Sequence, residues 1–233
     1  MSGRRVLVSG ASRGIGRALV EHFIEAGDSV VGCARGASDF RHDDYSHVQA
    51  DISDAADVKS VFREVRSKLN GLDVLINNAG IARMSPMILT PAETAAGIFD
   101  VNFMGTFHLS SAAVRLLRRS DSGRIVNMTT VAVPLRLEGE SVYAASKAAV
   151  ESFTRITAKE LGPMGITCNA LGPSPIPTAL IKGVPDDKIQ ALIDQQAIKE
   201  WAQPADVVNA VEFFLSPASR MITGQVIYLG GIG

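Results

Sequence analysis

The sequence predicts a doubly wound α/β fold: one parallel seven-stranded sheet with helices on both faces, in a single domain over residues 1–233. Three observations predict it. Short apolar runs alternate with longer stretches of helical periodicity along the whole chain, the order expected of β-α-β units. The strand runs are apolar almost throughout, as strands buried on both faces should be. Finally, 46% of the 233 residues are apolar, enough for one sizeable core without disulfides or a structural metal.

The strand segments are residues 6–9, 29–34, 47–50, 74–77, 124–128, 167–171 and 226–229. Helical periodicity falls between them, over 15–26, 55–69, 91–118, 142–161 and 204–215. Asp54 is placed to cap the second helix, and Gly27 and Gly162 stand where helices should stop. One segment breaks the rhythm. From Pro173 to about Lys199 there are prolines at 173, 175, 177 and 185 and a short amphipathic stretch over 188–198. Such an insertion late in an α/β chain reads as a substrate lid, here at about 173–200, or as a surface ornament.

Charge and composition exclude several functions. With 23 basic against 24 acidic residues the formal net charge is -1, so nothing electrostatic points to nucleic acid or an anionic membrane surface. Cys33 and Cys168 lie far apart in apolar runs, which suits neither a disulfide scaffold nor a CxxC site and implies a reducing compartment. No apolar run approaches the ~18 residues that span a bilayer. Gly10 interrupts the first apolar run too early for a signal-peptide core, so a soluble, cytoplasmic chain is expected. The four histidines (His22, His42, His47, His108) form no pair at metal-ligand spacing, and no metal is expected.

The first strand runs into Gly10-Ala11-Ser12-Arg13-Gly14-Ile15-Gly16, and a helix follows. A strand feeding a helix through glycines aims backbone N–H groups and the positive helix end at a phosphate. The glycines allow close approach of a pyrophosphate and tight helix–strand packing. The spacing is Gly-x-x-x-Gly-x-Gly rather than the commoner Gly-x-Gly-x-x-Gly, and a tight turn alone would also explain it. An acidic residue ending the second strand would bond the adenosine ribose. Here the strand ends Cys33-Ala34-Arg35, and the nearest acid is Asp39. Arg35 and Arg13 together suit a 2′-phosphate, which favours NADP(H) over NAD(H), unless both are simply solvated.

Tyr143 and Lys147 share a helix face at i, i+4. A free phenol has a pKa near ~10 and is a poor acid–base group at neutral pH. A nearby ammonium favours the phenolate and lowers that pKa, which turns tyrosine into a usable proton donor and acceptor. The pair alone is common in helices.

Taken together, the glycine turn, Asn77-Asn78-Ala79-Gly80 after the fourth strand, and Tyr143/Lys147 after the fifth resemble the short-chain dehydrogenase/reductase family, in its compact single-domain, Rossmann-type branch. The likeness runs from Val6 to about Gly231 and is strongest to 3-oxoacyl thioester reductases. It implies a cofactor pyrophosphate at Gly10, Gly14 and Gly16, with Ser12, Arg13 and Ile15 beside it. It implies adenine contacts from Asp51 and Ile52, and an adenosine-ribose segment at Asn78, Ala79 and Gly80. Tyr143 would be the acid–base group. Lys147 would bind the nicotinamide ribose, and Asn102 would hold a water on the proton relay behind it. Pro173, Ile176 and Thr178 would contact the carboxamide and diphosphate.

Three positions depart from the family's pattern. Thr130 stands where serine is usual; it keeps the hydroxyl but adds a methyl that stiffens χ1 and narrows the pocket. Ser174 follows Pro173 where glycine is usual. Gly230-Gly231-Ile232 replaces the usual Asp-Gly-Gly, altering a turn expected at a subunit contact.

The activity implied is reversible hydride transfer between the nicotinamide and a carbonyl or secondary alcohol, with a 3-oxoacyl thioester or apolar ketone as substrate. An expected pocket rim of Arg83, Met84, Val131, Val133, Leu135 and Leu137 is mostly apolar and suits such a group. A carrier-bound substrate would want a basic patch, for which Arg115, Arg118, Arg119 and Arg124 are available, though they equally read as a solvated helix end. The resemblance also implies that the helices holding Asn102 and Tyr143 pack against those of a neighbouring subunit, which the small residues at 110–114 and 144–150 would allow, so a homotetramer or homodimer is expected. Two other readings stand beside this one: an NAD-dependent alcohol dehydrogenase of a degradative pathway, and a non-catalytic dinucleotide-binding sensor.

Overall fold

The computed structural model describes residues 3–178, 181 and 183–232. Its strands are β1 (Arg5–Ser9), β2 (Ser29–Ala34), β3 (Tyr45–Gln49), β4 (Val74–Asn77), β5 (Arg124–Met128), β6 (Thr167–Gly172) and β7 (Val226–Tyr228). They form one all-parallel sheet in the order β3-β2-β1-β4-β5-β6-β7. The chain winds outward in both directions from the β1/β4 pair, so a crevice opens beyond the carboxyl ends of these two strands.

The helices are α1 (Gly14–Glu25), α2 (Ala55–Leu69), α3 (Ala92–Phe99), α4 (Gly105–Leu117), α5 (Ala132–Leu135), α6 (Ser141–Leu161), α7 (Asp186–Ile193) and α8 (Pro204–Leu215). Successive strand residues point to opposite faces, and both faces are apolar. Leu7, Val31, Leu75 and Ile125 pack with α2, α4 and the end of α6. Val6, Val8, Val30, Ile76 and Val126 pack with α1 and α8. Each such side chain contributes roughly 1.5–3 kcal/mol by leaving water.

Local signals explain most boundaries. The Asp54 carboxylate accepts from the Ala56 N–H at 2.6 Å and caps α2. Gly27 ends α1 at φ +84°. α6 stops at Gly162, as the sequence suggests, but without a left-handed residue there. The Gly162 φ is -51°, the chain continues through a 3₁₀ turn (Gly162–Met164), and the left-handed residue is Gly165, with φ +76°. β3 starts at Tyr45 rather than residue 47, because the Tyr45 ring packs edge-on against Phe40 and its hydroxyl bonds His47 Nδ1 at 2.9 Å. The amphipathic stretch of the insertion is α7, and residues 179, 180 and 182 of the expected lid lie outside the described residues.

The largest departure concerns the helix expected over 91–118. It is two helices, α3 and α4, joined by a π-helical turn over Asp100–Met104. The wider turn sets the Asn102 side chain inward, where it bridges two other elements. Its Oδ1 accepts from the Ile81 N–H at 2.8 Å, and its Nδ2 donates to Ile81 O at 2.9 Å and Ser146 Oγ at 3.0 Å.

Candidate active site

The glycine turn is built from backbone requirements. Gly10 has φ +69°, and its N–H donates to Cys33 O at 2.8 Å, folding the turn onto the end of β2. A Cβ on Gly10 would lie 2.8 Å from Asn78 Nδ2. Gly16 is buried, and the space a side chain would need is filled by Gly10 O and Asn78. Asn78 Nδ2 in turn donates to Ser9 O at 2.9 Å, while the Asn78 and Ala79 N–H groups donate to Ser9 Oγ. These bonds lock the ends of β1 and β4 together. Arg13 precedes α1 without a side-chain cap, and the first turn holds no acidic residue. The free amides at the positive end of α1 therefore face the crevice, an arrangement that fits a diphosphate.

That crevice is a cleft of about 580 Å³. Its floor is the glycine turn with Ser12, Gly14 and Ile15, and its far wall is Asp51, Ile52, Ala79 and Gly80. Arg13 and Arg35 line it, are exposed, and enter no ion pair among the described residues. Asp39 does not line it; its carboxylate pairs with Arg17 Nη1 at 2.6 Å. The Ser53 hydroxyl, at 2.7 Å, holds the Asp51 carboxyl below its ordinary range against partial burial, and the Arg35 charge adds to the same effect.

A second cavity of about 330 Å³ adjoins the first, and Ile15, Asn78, Gly80 and Thr178 belong to the walls of both. Thr130, Tyr143 and Lys147 line it together, facing apolar walls from Met84, Leu137, Ile189 and Leu192. Pro173 and Ile176 line it as well, and the chain after Ile176 bends back so that the Thr178 methyl lies 3.5 Å from the position of a Cβ on Gly14. Of the residues singled out by sequence for catalysis or cofactor binding, Gly16 and Asn102 line neither space. Both pack directly behind the walls.

The electrostatics differ from the simple expectation. Burial pushes the Tyr143 phenol up to about 12; the Thr130 hydroxyl beside it opposes the shift and the Glu140 charge adds to it. Lys147 Nζ donates to Met128 O at 2.8 Å. Burial pushes Lys147 down to about 8. Its Nζ and the Asn102 carboxamide flank Gly80, where a Cβ would lie 3.3 Å and 3.2 Å from them. The Thr130 Oγ accepts from the Ala132 N–H at 3.2 Å, which leaves the hydroxyl proton for an acceptor in the cavity. Among the chain's own groups, then, the phenol is a protonated donor rather than a phenolate.

Some expectations of the sequence are corrected here. Met84, Val131 and Leu137 line the cavity, whereas Arg83, Val133 and Leu135 do not. Arg124 is buried at 4% exposure and cannot join a surface patch. Arg115, Arg118 and Arg119 are exposed, but they sit at the carboxyl end of α4, just before β5 begins, and so toward the amino ends of the strands, opposite the cleft. Ser174 spends its hydroxyl on Leu229 O, at 2.9 Å. Two acids in the region carry no spacing signal and escape the sequence reading. Glu140 lines the cavity with a buried, unpartnered Oε2, and Glu151 is buried one turn beyond Lys147.

A family profile described as Enoyl-(Acyl carrier protein) reductase matches residues 10–231. A 3-oxoacyl-(acyl-carrier-protein) reductase of Vibrio cholerae is 31% identical over 99% of this chain and 97% of its own length. The corresponding Staphylococcus aureus reductase is 32% identical over 98% and 97%. Among solved structures, the Brucella melitensis 3-ketoacyl-(acyl-carrier-protein) reductase complexed with NADH superposes with TM-score 0.90 at 27% identity, over 98% of this chain and 97% of that one. The ligand-free Thermoplasma acidophilum aldohexose dehydrogenase superposes with TM-score 0.89 at 29% identity, over 99% and 94%.

Proposed function

The chain belongs to the short-chain dehydrogenase/reductase family, and from that premise we propose that it is an NADP(H)-dependent reductase of 3-oxoacyl thioesters or apolar ketones. Its class is that of oxidoreductases acting on CH–OH/C=O groups. The observation that carries the reading is that Tyr143 and Thr130 face one apolar cavity, which opens directly onto the glycine-turn cleft.

The cleft fits a nicotinamide dinucleotide: free amides at α1 for the diphosphate, a turn with no room for a Cβ at Gly10 or Gly16, and two arginines beside it that enter no ion pair among the described residues. When bound, the nicotinamide supplies the hydride. The protein's own groups position the substrate and move the proton. The Thr130 hydroxyl donates a hydrogen bond to the carbonyl oxygen and orients it. Tyr143 Oη gives its proton to that oxygen as hydride reaches the carbon, and a phenol held high by burial keeps the proton until then. Lys147 would hold the ribose hydroxyls and resupply the proton, while Asn102 fixes the backbone at Ile81 behind it. Arg35 and Arg13 take the 2′-phosphate, which supports NADP(H) over NAD(H).

The apolar walls suit an acyl chain or alicyclic ketone better than a sugar. A carrier bearing the thioester would dock near the cavity mouth rather than on the arginines of α4. Exposed Phe99, Phe107 and Ile156 on α3, α4 and α6 support a homo-oligomer built across these helices, checked by light scattering. The function is tested by offering 3-oxoacyl thioesters, cyclic ketones and aldoses with NADPH and with NADH. Faster oxidation of NADPH with the thioesters or ketones is expected. Preference for aldoses, or tight NADPH binding without turnover across the panel, would contradict it.

A further inference from the structure

The end of β5 carries the hydroxyl assigned above to the substrate carbonyl, and something must hold that strand end still. Backbone bonds account for part of it: the Thr129 N–H donates to Leu171 O at 2.8 Å. The remainder converges on one buried carboxylate. Glu151, 4% exposed on α6, accepts at Oε1 from Thr129 Oγ at 2.7 Å and from the Tyr228 hydroxyl of β7 at 2.7 Å. One turn earlier on the same helix, Lys147 Nζ donates to the carbonyl of Met128. Two residues of α6, i and i+4, thus grip the last residue of β5, Met128, and the one that follows it, Thr129, immediately before Thr130. A buried carboxylate is costly to desolvate, and its cation here, Arg155, stands 3.8 Å from Oε2 with an exposed side chain. The two hydroxyls are what hold it.

Gly172, at the end of β6, makes the convergence possible. A Cβ there would run into the Tyr228 ring and lie 3.2 Å from the Thr129 methyl. Only a glycine lets the side chains of Thr129, just past β5, and Tyr228 of β7 meet over β6.

We propose that Glu151 is a positioning residue for the Thr130 hydroxyl, acting through Thr129 and anchored from the other side by Tyr228. The inference rests on the reading of Thr130 given above. Glu151 lines neither cavity, so it acts on turnover only through the groups it holds, of which Thr129 is the one next to Thr130.

The test is a double-mutant cycle. Glu151→Gln keeps the shape and an acceptor oxygen but removes the charge from two buried hydrogen bonds, and should lower kcat roughly 3- to 10-fold with little change in NADPH affinity. Placed on Thr130→Ser, which keeps the hydroxyl, it should cost the same factor. Placed on Thr130→Ala, it should cost less than twofold, because the group being positioned is gone. Rates are read as single-turnover consumption of bound NADPH, so that slow variants remain measurable, and NADPH affinity is titrated by fluorescence. Gly172→Ala, which wedges Tyr228 from Thr129, should reproduce the Glu151→Gln profile. Equal losses on the alanine and serine backgrounds, or a lowered Tm with kcat unchanged, would overturn the positioning role. Failure of the wild-type protein to consume NADPH with any carbonyl would overturn the functional reading instead.

Discussion

Ser174 and Gly230 share one small volume: Ser174 Oγ lies 2.6 Å from the position a Cβ on Gly230 would take, while donating to Leu229 O at 2.9 Å. Gly230 has φ +80°, and its carbonyl accepts from the Ala197 and Ile198 N–H groups, tying the C-terminal turn to the chain that leaves α7. The two departures from the family's usual residues at these places therefore fit one another. The serine, together with the Gln196 carboxamide, fills what a side chain at 230 would occupy.

Gly230→Asp should accordingly destabilise the protein by about 2–4 kcal/mol, combining overpacking with a side chain in the left-handed region. Ser174→Gly on that background should restore part of the loss by vacating the space. Denaturant midpoints of the four proteins check this. Purely additive effects would show that the two positions do not compensate.

The choice between the dinucleotides rests on Arg35. Asp39, the only acid near it in sequence, is held by Arg17 and stands outside the cleft. Arg35→Asp should weaken NADPH roughly 10-fold, since an exposed arginine contributes a charge-assisted bond discounted by solvent. NADH affinity should hold or improve. Fluorescence titration with each nucleotide measures both, and an unchanged preference would remove Arg35 from the account.

Lys147 gives a prediction on pH. Its ammonium is buried and its pKa lowered by burial from 10.5 to about 8. A lysine with a depressed folded pKa binds fewer protons folded than unfolded between these values. Its contribution to stability is full above about 10.5 and is lost as pH falls through about 8. At pH 7 the buried charge costs on the order of 3 kcal/mol. Lys147→Met should therefore stabilise the protein without nucleotide at pH 7, and the gain should shrink as pH rises from 8 toward 10.5. Thermal melts across that range check it, and a gain independent of pH would contradict the burial argument.

Much of this was legible in the sequence because it depends on local chemistry. The glycine turn needs positive φ and close approach, and only Gly10, Gly14 and Gly16 in that order after an apolar strand supply them. Buried strands announce themselves by apolar runs, and six of the seven begin within a residue of where the pattern places them. What stayed hidden depends on tertiary contacts. The π turn at Asn102 breaks no propensity rule; it exists because the carboxamide finds Ile81 and Ser146. Arg124 reads as a surface charge until its strand is seen to be covered. The spacing of Tyr143 and Lys147 gives their shared helix face but not the Met128 carbonyl to which the buried ammonium donates.

The central claim is that Tyr143 Oη gives the proton to the substrate carbonyl, and Tyr143→Phe tests it most directly. NADPH affinity by fluorescence titration should stay within about twofold, while single-turnover NADPH consumption with the best ketone or thioester should fall by at least ~100-fold, the usual weight of a general acid. A variant that binds NADPH normally and keeps more than a few per cent of the wild-type rate would contradict the account.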